Sequence, residues 1–163
     1  INQRKAIFMI FFPQYFYCGN ATMDVRIKWV DGAMFLGESG SGHAVVMDGA
    51  PENGGRNLGL RPMEMLLTGM GGCTAFDVKM ILDKARQNVT DCVAEIHADR
   101  ADAVPAVFTK IHVHFIISGK KLTDKAVARA VNLSAEKYCS ASIMLSKAVE
   151  ITHDYEIIDV DAE

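Results

Sequence analysis

Two cysteines carry the plainest capacity for chemistry in this chain. Cys73 ends the run Arg61-Pro62-Met63-Glu64-Met65-Leu66-Leu67-Thr68-Gly69-Met70-Gly71-Gly72-Cys73, and Cys139 ends Glu136-Lys137-Tyr138-Cys139. A thiolate is a strong nucleophile, and a cation or a helix N-terminus nearby lowers the thiol pKa and supplies more of it. The glycines permit two local readings. Either Cys73 lies inside a helix opened by Pro62, or Gly69 to Gly72 break that helix and Cys73 starts a new one, in the positive field of its first turn. Both readings favour a thiolate. Glu64 is a possible supporting carboxylate, although a negative charge in a first helical turn also has a purely structural use.

The other reactive side chains point to packing or solvation. Cys92 falls on the apolar side of an alternating run, and buried cysteine is commonly a small hydrophobe. His112 and His114 share one face of a strand, but no third ligand stands at a telling spacing, so no metal site is expected. His43, His97 and His153 are isolated and read as solvated or hydrogen-bonded residues. The nine methionines suit an adaptable core or a subunit interface.

Composition narrows the setting. A net charge of -3, with charged residues at 23%, argues against a polyanion-binding surface, so no nucleic-acid partner is expected. Cysteines at 18, 73, 92 and 139 lack both the close pairing of a zinc ribbon and the density of a secreted disulfide scaffold. A reducing cytoplasm is the simpler location. The apolar stretch Ile7 to Phe12 is too short to span a bilayer, and Glu64, Asp77, Lys79 and Asp83 interrupt the longer run, so no membrane partner is expected either. Residues 1 to 22, including Cys18, read as an N-terminal appendage upstream of Met23, and residues 23 to 163 as a single domain.

The elements that must position the thiols follow from periodicity. Val25, Ile27 and Trp29 alternate with Arg26 and Lys28, Asp31-Gly32 marks a turn, and Ala33 to Leu36 and His43 to Asp48 supply two further strands. Gly49 to Gly59 is a loop by composition. A long helix is expected from Pro62 to about Arg86, apolar on more than one stripe and therefore central and enclosed. Period-two runs at Cys92 to Ala98 and Val107 to Ile117, separated by Asp102 to Pro105, form a second hairpin. Thr123 and Ser140 are candidate helix caps, which places Cys139 at a helix junction, and Ile151 to Ile158 closes the order strand-strand-strand, helix, strand-strand, helix-helix, strand. That segregation is α+β.

The run Pro-Met-Glu-Met-Leu-Leu-Thr-Gly-Met-Gly-Gly-Cys, followed at distance by Glu-Lys-Tyr-Cys, resembles the OsmC/Ohr family, most of all its YhfA-like branch. The resemblance covers Met23 to Ile158 and implies an OsmC-like fold, with antiparallel sheets around a long central helix in an intertwined homodimer. It further implies a thiol peroxidase that needs no metal and no bound cofactor. Cys73 would be the peroxidatic thiol and Cys139 the resolving one, with an organic hydroperoxide as substrate and an external thiol as reductant. Two positions depart from the family. Met63 stands where the family glutamate follows the motif proline, and the loop Asp31 to Met34 holds no arginine, leaving Arg26 or Arg61 to be recruited. With no cation placed beside it, Cys73 is expected to titrate like an ordinary thiol. The alternative is a non-peroxidase dimer that keeps the thiols for small-molecule binding or redox response.

Overall fold

The alternating segments build two separate three-stranded sheets, described here from a computed structural model that covers residues 22–160. All but the last residue of the N-terminal appendage lies outside the described residues, and Cys18 with it. The chain divides into two compact units that part between Leu60 and Arg61.

In the first unit, β1 (Val25–Asp31), β2 (Met34–Ser39) and β3 (Ala44–Met47) pair antiparallel in that order. Gly32, at φ +52°, makes the tight turn between β1 and β2 that Asp31-Gly32 announced. The expected loop after β3 is tied down by Asp48, a buried carboxylate that accepts the backbone N–H groups of Gly49, Arg56 and Leu58 at 2.8, 2.9 and 3.1 Å. Those bonds, chiefly from Arg56 and Leu58, hold its pKa below the usual carboxylate range. The sheet encloses no core of its own: Val25, Ile27 and Trp29 are 72%, 55% and 60% exposed.

The second unit contains α1 (Pro62–Lys84), β4 (Asn88–Arg100), β5 (Phe108–Lys120), α2 (Asp124–Leu133), a single π turn over Ser134–Tyr138, α3 (Ser140–Leu145) and β6 (Glu150–Asp159). This is the expected order of elements. The core follows the pleat of β5, whose Ile111, Val113, Phe115 and Ile117 all point one way. Against them pack Met70, Val78 and Leu82 of α1 and Val127, Ala130 and Val131 of α2. Among the described residues α1 alone has the length and apolarity to cross a membrane, and it lays this buried stripe on the sheet instead.

One expectation is corrected here, and one open alternative is closed. The sheet is not wholly antiparallel: β4 and β5 form an antiparallel hairpin, but β6 runs parallel to β5. The chain reaches β6 through α2 and α3, and a helical crossover returns it in the same direction, whereas a tight turn reverses it. Nor do the glycines break α1, which runs unbroken past Cys73. Gly71 has a packing reason, since a Cβ there would come within 2.5 Å of Ile96 Cδ1 on β4. The close neighbour there is a strand. Gly69 and Gly72 face open space. The cost of about 1 kcal/mol for each helical glycine is offset by the packing of the rest of the helix.

Candidate active site

Helical spacing brings Cys73 and Asp77, four residues apart, onto the same side of α1, with Thr74 beside them. The π turn supplies the opposing wall. Its first residue, Ser134, is buried and donates from Oγ to the Thr74 carbonyl at 3.2 Å, which leaves the Thr74 hydroxyl to donate to Ser134 Oγ at 2.8 Å. This double link fixes the turn to α1. The turn then delivers Cys139, fully buried, to the N-cap position of α3. Ser140 is not the cap that its type suggested, because Cys139 Sγ itself accepts from the Ser142 N–H at 3.4 Å and the Ser142 hydroxyl at 3.2 Å.

The result is a compact group. The sulfur atoms of Cys73 and Cys139 and a carboxylate oxygen of Asp77 all lie within 4.8 Å of one another. Both cysteines are free. Burial pushes the Cys73 thiol up from its ordinary value; the Ala141 N–H pulls the other way, while the Cys139 side chain and the Asp77 charge push it further up. The expectation that Cys73 favours a thiolate is therefore corrected. Cys73 sits in mid-helix, away from the N-terminal field, and the charge beside it is acidic. Asp77 is also pushed up, first by burial, against the opposing pull of Lys84 and the Ser134 hydroxyl. Its Oδ2 is buried without a hydrogen-bond partner. Asp77 is the member of this group that sequence reasoning missed, although its spacing of four from a helical cysteine was a usable signal. Together the three groups can form a disulfide and pass a proton.

Glu64 takes no part in this group. Its carboxylate accepts from the Arg61 backbone N–H at 2.9 Å and from Arg61 Nη1 at 2.8 Å, which closes the first turn of α1 and lowers its pKa. Nine residues of helix rise, about 13 Å, separate it from Cys73. Arg61 is thereby engaged, and Arg26 pairs with Glu38. Cys92 faces the core side of β4, where Sγ lies 3.9 Å from the Ala75 carbonyl, in keeping with a packing role. A cavity of about 160 Å³ is lined by Thr74 and Ser142, neighbours of the two cysteines, together with Phe115, Glu136, Ile151 and His153.

The outer face of the sheet holds a second cluster of polar side chains. His112 and His114 do have a third potential ligand, Asp154, which parallel pairing of β5 with β6 places directly beside His114. Asp154 Oδ1 lies 2.6 Å from His114 Nδ1 and 3.2 Å from His112 Nε2. Nothing in the local sequence of either strand announces the other.

Comparison with known proteins places this geometry in a family. Residues 54–154 match the model of the OsmC-like protein family. Protein YhfA of Escherichia coli (strain K12) is 54% identical over 136 residues, a match that covers 83% of this chain and 98% of that protein. A crystal structure of a hypothetical protein from Aquifex aeolicus VF5 has 29% identity and a TM-score of 0.71, covering 85% of this chain and 98% of that one. The organic hydroperoxide resistance protein OhrB of Bacillus subtilis, at 16% identity and a TM-score of 0.56, shares the fold over 83% of this chain and 98% of its own. The chain belongs to the OsmC-like protein family.

Proposed function

We propose that the protein is a thiol peroxidase that reduces organic hydroperoxides to alcohols. The observation that carries this reading is the meeting of Cys73, Cys139 and Asp77 in one partly buried group, in a chain of the OsmC-like family. In the first step the Cys73 proton passes to the Asp77 carboxylate and the thiolate attacks the terminal peroxide oxygen. An S–O bond forms as the O–O bond breaks, and the departing alkoxide takes the proton back from Asp77 to leave as the alcohol. Cys73 is left as a sulfenic acid. The Cys139 thiol then displaces hydroxide, which leaves as water with the thiol proton, and the Cys73–Cys139 disulfide forms. An external thiol supplies the two electrons and two protons that restore the pair. Asp77 thus takes over proton handling that the family glutamate position, occupied by Met63, does not provide.

The active species is proposed to be a homodimer. Leu66 and Phe76 of α1 and Met144 of α3 are exposed apolar residues, at 50%, 40% and 68%, and Gly69 and Gly72 leave the helix surface open for a close approach. A second reading, a small-molecule-binding or redox-responsive dimer without peroxidase turnover, is favoured by one observation: the raised pKa of Cys73, which lowers its supply of thiolate at neutral pH.

Stopped-flow oxidation of the reduced protein by cumene hydroperoxide and by hydrogen peroxide separates the two. The peroxidase reading expects fast oxidation that prefers the organic peroxide, vanishes in Cys73→Ser, and ends in a Cys73–Cys139 disulfide by mass. In Cys139→Ser the first oxidation survives and stops at the sulfenic acid. Rates no faster than those of a free thiol at the same pH sink the peroxidase reading and leave the binding one.

A further inference from the structure

We infer that the outer face of the β4-β5-β6 sheet carries a second site, for a divalent first-row metal ion of the zinc type, held by His112, His114 and Asp154. The donor set is two imidazoles and one carboxylate, which suits zinc and its neighbours and not the oxygen-only preference of calcium or magnesium. Strand geometry does the positioning. Residues two apart on β5 point to the same side, and the parallel register sets Thr152 beside His112 and Asp154 beside His114.

The distances fit. Ligand atoms bound at about 2.0–2.2 Å to one tetrahedral ion lie roughly 3.4 Å from each other, and these three potential ligand atoms already lie within 4.8 Å of one another without an ion to draw them together. His112 Nε2 faces Asp154 Oδ1 at 3.2 Å, while its other nitrogen, Nδ1, lies 2.8 Å from Thr152 Oγ1. That outer contact is the kind that fixes the tautomer and ring plane of a metal-binding histidine: with an ion present, Nδ1–H would donate to the hydroxyl and Nε2 would turn from Asp154 to the ion. The surroundings are also acidic: Glu95 is the cross-strand partner of His114 on β4, and Glu156 follows Asp154 on the same face of β6, while Lys110 precedes His112 on the same face of β5. His97, the cross-strand partner of His112, stands on the same face, exposed, with its Nε2 3.5 Å from Asp99. The ion would bridge β5 and β6, the parallel pair among the strands described, formed between segments far apart in the chain.

The inference is independent of the thiol chemistry, and its test keeps the two apart because thiols also bind zinc. Titration calorimetry with Zn²⁺ is run on the full reduced protein, on Cys73→Ser/Cys139→Ser, on His114→Ala and on Asp154→Asn, each checked for an unchanged circular dichroism spectrum. The expected result is one micromolar site in the wild type, retained in the double cysteine variant, and weakened by about tenfold or more in His114→Ala and in Asp154→Asn. Zn²⁺ should also raise the Tm of the double cysteine variant, because an ion that binds only the folded state stabilises it. The inference is overturned if binding disappears with the thiols and persists in His114→Ala, or if no variant binds Zn²⁺ at micromolar concentration.

Discussion

One strand, β5, serves two environments, and the difference between its faces explains most of what this protein has to offer chemically. Its residues at 111, 113, 115 and 117 are buried under α1 and α2, while His112 and His114, between them, reach solvent on the other side. On the helical side, loss of water works against ionisation, and both Cys73 and Asp77 are pushed towards their neutral forms. The proposed chemistry there needs a proton path, and the peroxidase reading assigns it to the Asp77 carboxyl group, which lies close to both sulfurs. On the open side, water remains, and a shared carboxylate holds two imidazoles in place. The same pleat thus separates the Cys73 and Cys139 thiols from a ligand-like cluster.

The sharpest way to break this comparison is to truncate one residue on each face. Phe115→Ala removes the largest fully buried side chain of the unit, and a loss of about 3–5 kcal/mol is expected from urea unfolding, as for other core phenylalanines. His112→Ala, three residues earlier on the open face, should change stability by no more than about 0.5 kcal/mol in metal-free buffer. Equal losses would mean that the two faces are not energetically distinct.

Asp77→Asn tests the chemistry of the helical side by two readouts that should move in opposite directions. Loss of the negative charge beside Cys73 lowers the thiol pKa, so alkylation by iodoacetamide at pH 7 should become faster. Loss of the proton donor should slow oxidation of the thiolate by cumene hydroperoxide by about 10²-fold, the lower end of the range for general acid catalysis. A merely structural role for Asp77 would slow or speed both reactions together. The wild-type alkylation rate should itself keep rising with pH above the ordinary thiol range near 8.5, because burial delays the ionisation of Cys73.

These two faces were unequally legible in the sequence. The period-two runs of β4 and β5 and the order of elements follow from local hydrophobic alternation, so the positions of Ile111, Val113 and Phe115 on one side and His112 and His114 on the other were readable. Cys73 and Cys139 stood out by motif. Glu64 was open to a capping and a catalytic role, and only its contacts with Arg61 decide for the cap. The partnership of Asp154 with the histidines depends on β6 pairing parallel to β5, a long-range choice that no local pattern encodes. Likewise, capping by a cysteine in place of the adjacent serine depends on the π turn that aims Cys139, and a single inserted residue in a helix leaves almost no compositional trace.

The first unit marks the limit of the same logic. There alternation places Val25, Ile27 and Trp29 on one side of β1, yet all three are exposed, and the order in the loop comes from one carboxylate. Asp48→Asn keeps the shape but replaces an ionised acceptor of three backbone N–H groups, so the Tm at pH 7 should fall by several degrees. Because the folded pKa of Asp48 is depressed, its stabilisation is complete above the pKa of the unfolded chain and is lost as pH falls through the folded value. The difference between wild type and Asp48→Asn should therefore shrink in acid.

Asp77 carries the opposite sign, and the smallest predicted effect is the most specific. Its folded pKa is raised, so protonation favours the native state, and stability is lost as pH climbs from the ordinary carboxylate range through the raised value. At neutral pH the wild type carries a partly buried charge whose Oδ2 has no partner; Asp77→Asn removes that charge and should raise the Tm by about 2 °C. Near pH 3 both side chains are neutral and the gain should vanish. Tm profiles of the two single variants across acid to neutral pH should thus diverge from wild type in opposite directions as pH rises, one below and one above. A gain in stability for Asp77→Asn, coupled to slower peroxide reduction, is what a carboxylate retained for proton transfer requires, because packing alone gives no reason to keep a charge there.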